Sequence, residues 1–438
     1  MKKSLVALAA LAATASFAQV TIDGYMDRAY TNTSNTLSTK NAKTIGSQAG
    51  TTTFGIKVNE NLSSDLSMGV WISTDWNDVG GATQDNNGYG AMALSSATSV
   101  TTTAAGTTSA LSATYTNAVL NPVGASTQAI TNLGAFANSQ NFLRLTSKSM
   151  GELRLGTPNN FTLTNATSVA SPLFSTGIGS AYSSNFSIAN GYGTGTLGGG
   201  GIVASSKPAA TAYAVSNAGA RAIRNPNTIQ YQSPNMNGFV VGYGKTLKNA
   251  NSDVNTSIVS TVDTVGVTEY MLRYTNGPID AMYTSIQYDT TGMGTDGQGQ
   301  TGYNWGTKAT GHQNTQNLLA ATYTVMPSLK LHAGVGKFSS STSYWQGKST
   351  QYGATYTVGQ WDFMAQVAKV DDTSTTTSTN TNSTSNMDRK MTGLGVNYNL
   401  SKTTRAYLRY DDINYYSNGT ATAGTAQKRT AIGMSINF

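Results

Sequence analysis

The last eleven residues, Lys428 to Phe438, constrain this chain more than any other stretch. Taken at a period of two, Ile432, Met434, Ile436 and Phe438 fall on one face of a strand, and Ala431, Gly433, Ser435 and Asn437 on the other. One face is apolar, the other small or polar. A soluble sheet could use that pattern, so the remainder of the chain has to say what the apolar face meets.

The amino terminus answers in part. Met1-Lys2-Lys3 precedes an apolar run from Ser4 to Ala13, and the small residues Ser16 and Ala18 flank a cut before Gln19. Residues 1–18 therefore read as a secretory signal peptide, outside the fold. No later run reaches eighteen apolar residues, and the mean hydropathy is −0.25, against spanning helices. If the exported chain enters a membrane, it enters as strands.

Charged residues make up 11% of the 438, far below the quarter or so usual in soluble proteins, while Gly (46) and Tyr (23) are abundant. That deficit suits a surface facing lipid. There is no Cys, which removes disulfides and cysteine metal ligation. The formal charge is +7, or +5 once Lys2 and Lys3 leave with the signal, with no basic cluster, so nucleic acid is not an expected partner. No cofactor or metal signature is found; His312 and His332 are the only histidines.

Along the chain, Val20, Ile22, Gly24 and Met26 alternate with Thr21, Asp23, Tyr25 and Asp27 in a first strand whose acids point inward. Residues 31–50 read as polar loop. A hairpin follows across Asn59 to Asp65, then a Thr/Ala/Ser/Gly-rich insertion over 77–138, a second hairpin across Ser147 to Gly151, and a second insertion over 157–224. Beyond it the rhythm is regular, with strands at 227–232, 239–246, 267–274, 279–288, 317–324, 329–338, 351–357, 361–370, 392–399, 405–413 and the closing one. The total is about sixteen, an even number that lets first and last strands pair. Connections alternate short (275–278, 325–328, 358–360, 400–403) and long (248–266, 289–315, 371–389). The expected fold is all-β: residues 19–438 form a single transmembrane antiparallel barrel, apolar outside and wet inside.

Several segments resemble the sixteen-stranded general porins of Gram-negative bacteria, the betaproteobacterial type above all. They are Phe54-Gly55-Ile56-Lys57, Gly151-Glu152-Leu153-Arg154-Leu155-Gly156, Arg224-Asn225-Pro226-Asn227-Thr228-Ile229-Gln230-Tyr231-Gln232-Ser233-Pro234, and the terminal Phe438, a familiar assembly signal in that family. The resemblance implies a homotrimer in the outer membrane, each barrel having its third external loop, here 157–224, folded inward to constrict the lumen. The chain departs from the family at Thr157 and Thr53, where Arg is usual, and lacks the acidic segment common in the inward loop.

A pore selects by the charge of its narrowest ring. The stretch 157–224 contains no Asp or Glu, and every charge between Glu152 and Asp253 is basic. Strand parity points Lys57, Arg144, Arg154, Arg273, Lys330 and Arg409 inward; Lys207, Arg221 and Arg224 belong to the inward loop. These nine are the pore-lining candidates, and they predict weak anion preference. Asp23, Asp27, Asp75 and Glu152 are candidate counter-charges. Tyr25, Trp71, Tyr283 and Tyr407 are inner-face aromatics, while Tyr274, Tyr288, Tyr323, Tyr356, Trp361, Tyr398 and Tyr410 suit an interfacial girdle. Gly193-Thr194-Gly195-Thr196-Leu197-Gly198 copies a dinucleotide pattern without its strand and helix. With no catalytic constellation, the expected function is passive diffusion of ions and small hydrophilic solutes. A surface adhesin or structural barrel, and a substrate-specific anion or organic-acid channel, are the alternatives.

Overall fold

The computed structural model describes residues 19–35, 41–75, 139–181, 224–225, 227–247, 266–289, 313–340, 347–373, 387–417 and 420–438. The signal segment 1–18, the insertion 77–138, the stretch 193–198, Lys207, Arg221 and His312 lie outside these.

Among the described residues, seventeen strands form one antiparallel sheet closed on itself. In chain order they are β1 (Gln19–Asn35), β2 (Ala42–Gly46), β3 (Thr53–Asn61), β4 (Leu66–Asp75), β5 (Asn141–Ser147), β6 (Gly151–Thr157), β7 (Thr228–Gln232), β8 (Phe239–Thr246), β9 (Gly266–Asn276), β10 (Ile279–Asp289), β11 (Gln313–Met326), β12 (Leu329–Ser340), β13 (Gly347–Val358), β14 (Trp361–Asp372), β15 (Met387–Asn399), β16 (Thr404–Ser417) and β17 (Thr420–Asn437). The first half of β1 pairs with β3 and its second half with β2, so β2 and β3 are one stave interrupted at residues 47–52. The barrel thus has sixteen staves. Residues 31–50, expected as loop, in fact continue β1 to Asn35 and supply β2. Their polar side chains alternate as wall residues, and the weak apolar pattern hides the strand.

Closure is direct. β1 pairs with β17 from Tyr25 opposite Asn437 to Asn35 opposite Gln427. At the seam the Gly24 N–H donates to the Phe438 carbonyl at 2.9 Å, and the Phe438 N–H returns to the Gly24 carbonyl at 3.0 Å. Gly24 is required there, since a Cβ would lie 2.4 Å from the Phe438 ring.

The period-two pattern becomes inside and outside. Ile432, Met434, Ile436 and Phe438 are exposed outward, whereas Ala431 and Ser435 are buried inward. Leu272, Leu319, Leu331, Val335, Val367, Leu394 and Leu408 extend the outward apolar band around the wall. At the short-turn ends, Phe239 stacks near Tyr274 at 4.5 Å and Trp361 near Tyr398 at 4.7 Å, the girdle expected of an interface. Tyr283 is a correction: it faces outward on β10, its hydroxyl on Asn317 at 3.2 Å, because Met282 and Thr284 take the inward parity. Two neighbouring short turns are latched by Asp65, which accepts from Ser147 Oγ at 2.7 Å and from the Ser149 amide at 3.1 Å. Those donors, Ser147 first, hold its carboxyl below the ordinary range.

Candidate constriction site

A hollow barrel has little conventional core, and among the described residues two clusters of buried apolar side chains form where one loop meets the wall. After β6 the chain turns inward through a single helical turn, α1 (Phe161–Thr164), and a π-helical turn, Asn165–Val169. Phe161, Val169 and Ala170 pack on the inward Met271, Met282 and Ala320 of β9 to β11. Further on, Ile178 packs with Ala29, Ala49, Tyr407 and Ala431. The wall makes room with glycine. A Cβ at Gly242 would meet the Phe161 ring at 2.7 Å, and one at Gly393 would lie 1.9 Å from the Gly179 carbonyl oxygen.

Polar anchors follow the same path. Glu269 on β9, 3% exposed, accepts from the Phe161 and Thr162 amides at 2.8 and 2.6 Å and from the Thr162 hydroxyl at 2.5 Å. Two of the free N–H groups of a helix start are satisfied in this way, by a group of the favourable sign. Asn165 donates to the Met282 and Leu318 carbonyls, and Thr322 to the Val169 carbonyl. The Ala170 carbonyl accepts from His332 Nδ1 at 2.8 Å and from Gln351 Nε2 at 2.6 Å. Gly179 donates to Asp411 at 2.9 Å and Ala181 to Gln366. Ile178 donates to the Gln48 carbonyl at 2.9 Å, within the 47–52 interruption, and Asp27 shapes that interruption by accepting from the Gln48, Ala49 and Gly50 amides. The loop therefore lies on the inner wall from β8 round to β1, then returns to β14.

Among the described residues, the segment Phe161 to Ala181 has no anchor on the arc β3 to β7, and three inward cations stand on that arc. Lys57 on β3 pairs with Asp23 at 2.9 Å and sits 4.1 Å over the Trp71 ring. Arg144 on β5 stands directly opposite Arg154 on β6. Like charges so placed repel, and each is turned aside. Arg144 leans across Gly69, where a Cβ would lie 2.9 Å from its Nε, to reach Asn59 Oδ1 at 3.4 Å. Arg154 is held by Glu152 and by Gln230 at 3.1 Å, over the Phe142 ring at 5.7 Å.

The other candidates scatter. Arg273 points inward but is clasped by Asp280 at 2.9 and 2.7 Å beside a short turn. Lys330 is inward by parity and exposed, also at a turn. Arg224 is bound to Asp75 at 2.8 Å and bridges to Asn159 across the root of the inward loop. Arg409 is a correction to the pore-lining set: 1% exposed, it lies under the loop, 5.2 Å from the Phe174 ring and bonded to Asn397 at 2.8 Å. Covering by the loop, which parity alone does not reveal, takes it from water. Lys207 and Arg221 lie outside the described residues. Of the expected counter-charges, Asp23, Asp75 and Glu152 meet cations, whereas Asp27 is satisfied by backbone amides and the Tyr407 hydroxyl. Sequence reasoning misses Glu269 and Asp411 as loop anchors. Their inward parity is visible; their partners, far away in the chain, are not.

A profile of the Gram-negative porin family matches residues 4–418. No curated protein sequence matches the chain. Among solved structures, an anion-selective porin from Comamonas acidovorans is similar at 19% identity, covering 96% of this chain and all of its own, with a TM-score of 0.59. The trimer form of OmpT, an outer-membrane protein of Vibrio cholerae, is similar at 12% identity, 96% and 99% coverage and a TM-score of 0.54. Salmonella typhi OmpF in complex with daunomycin is similar at 12% identity, 96% and 97% coverage and a TM-score of 0.51. With a sixteen-stave wall, an apolar exterior and a family profile over nearly its whole length, the chain belongs to the Gram-negative porins, and its place is the outer membrane.

Proposed function

We propose that the channel passes ions and small hydrophilic solutes passively, with weak anion preference, through an aperture bounded by residues 160–181 on one side and the Lys57, Arg144 and Arg154 arc on the other. It performs no chemistry. One observation carries the preference: that arc holds three cations, and the loop segment opposite, Pro158 to Ala181, holds no charged residue. Asp23 and Glu152 answer Lys57 and Arg154, but the partner of Arg144 among the described residues is a neutral amide. A surplus of fixed positive charge between low-dielectric walls concentrates anions. The anion-selective relative from Comamonas supports the same reading. Three copies form the working assembly in this reading, in keeping with the trimer form of the Vibrio relative.

The test is a reversal potential in a potassium chloride gradient across a planar bilayer. The expected sign is anion-selective, and Arg144→Ala with Arg154→Ala should lower the chloride-to-potassium ratio roughly two- to fivefold, the Boltzmann weight of about 1 kcal/mol per nearby charge less screening. A cation-selective sign overturns the proposal.

A further inference from the structure

The loop segment facing the basic arc is uncharged, and it also offers that arc an apolar body. Leu173 has φ of +61°, the left-handed region that a bulky residue rarely occupies. Its neighbours are fixed on both sides. The Ala170 carbonyl and Ser171 Oγ are bound by Gln351, the Pro172 carbonyl accepts from Thr355 on β13, and Phe174 is 1% exposed beneath the loop beside Arg409. Between the buried Ser171 and Phe174, beside the half-buried Pro172, Leu173 is 47% exposed. Strain of this kind persists only where the surroundings over-determine it. Here they leave an apolar side chain uncovered on a segment that runs inside the barrel.

Its position relative to the cations follows from topology. β13 stands eight staves from β5 in a ring of sixteen, so the strand that holds Pro172 is diametrically opposite the strand that carries Arg144. Leu163, half-buried, is another apolar side chain of the same segment. The aperture is therefore amphipathic in cross-section: guanidinium and ammonium groups on one wall, a leucine on the other, and no carboxylate on the described loop to repel an anion between them.

We infer that this aperture is a weak binding site for small organic monoanions with an apolar tail, of the short-chain monocarboxylate class. The carboxylate addresses Arg144 and Arg154, and the alkyl chain addresses Leu173. The inference rests on the anion-preferring reading above and adds the solute class. A purely basic ring would favour the smallest, most mobile anion, and permeability would fall steadily with chain length. An apolar contact opposite the charge works against that fall, since each methylene fully removed from water is worth about a fourfold change in equilibrium.

The experiment measures permeability ratios of acetate, butanoate and hexanoate, as potassium salts under bi-ionic conditions against chloride, in bilayers holding the full-length protein. Leu173→Asn removes the apolar body with a residue that accepts the left-handed backbone, and Leu173→Met keeps an apolar side chain. The hexanoate-to-acetate ratio of the unaltered channel is expected to exceed that of Leu173→Asn by about threefold or more, with Leu173→Met close to the unaltered channel. Equal ratios for the unaltered channel and Leu173→Asn overturn the inference, as does a Leu173→Met ratio as low as that of Leu173→Asn. Either result leaves anion preference standing if the chloride gradient retains its sign. A cation-selective gradient in the unaltered protein brings down the underlying reading instead.

Discussion

Glu269 illustrates how one side chain decides the course of a loop. Its two oxygens take three donors from the start of α1, and the site is closed to water. Glu269→Gln keeps the shape but presents an NH2 group where one of these donors points. The expected cost is about 1–3 kcal/mol, that of one buried N–H left unsatisfied. It should be read as a lower thermal midpoint in detergent together with noisier open-channel current, because the loop then moves at its root. An unchanged midpoint and quiet current would show that the apolar contacts of Phe161 alone hold it. In the sequence Glu269 is legible only as an inward acid between Val267 and Met271. Its function depends on Phe161 and Thr162, more than a hundred residues earlier, and no local pattern carries a contact at that separation.

Strands declare themselves by alternation and loops do not. β8 to β17 are readable because outward apolar residues recur at a period of two, as Phe239, Val241 and Tyr243 on β8 or Ile432, Met434 and Ile436 on β17. β2 is not, since Ala42 to Gly46 has only Ile45 to mark its outer side. The inward segment, rich in Ser, Thr, Ala and Gly, has neither period, so only the wall reveals its path. The wall glycines are the most direct trace of that path. Gly393→Ala places a methyl against the Gly179 backbone, where nothing flexible can yield. The expected result is a loss of about 1–3 kcal/mol from overpacking and a changed single-channel conductance. Gly359→Ala, in a turn with open space around it but with φ of +58°, should cost about 1 kcal/mol of backbone strain and leave conductance unaltered.

At the scale of the molecule, the same alternation that makes the wall dissolves the usual idea of a core. Hydrocarbon takes the outer face, water the inner one, and two buried apolar clusters sit in the seam between wall and loop. Such a molecule should leave the membrane only in detergent and show a circular dichroism spectrum dominated by β-structure. Native mass spectrometry is expected to give three times the mass of the mature chain; a single-chain mass would remove the trimer from the proposal. The charge surplus in the arc β3 to β7 is legible in the strand parity of Lys57, Arg144 and Arg154. Which part of the circumference the described loop leaves without anchors is not, because it is set by where the loop is bonded rather than by the cations themselves.

Those bonds reach β9, β10, β11, β12, β13, β14 and β16 and end on the interrupted stave beside β1, so the inward segment acts as a cross-tie inside a cylinder. A cylinder tied in this way cannot be squeezed oval without dragging the tie, and the tie carries the rim of the hole. Lateral pressure in the bilayer and the bore of the pore are thereby mechanically linked. The hairpins outside can lengthen or shorten freely over generations, but the gauge of the opening changes only when its fastenings do.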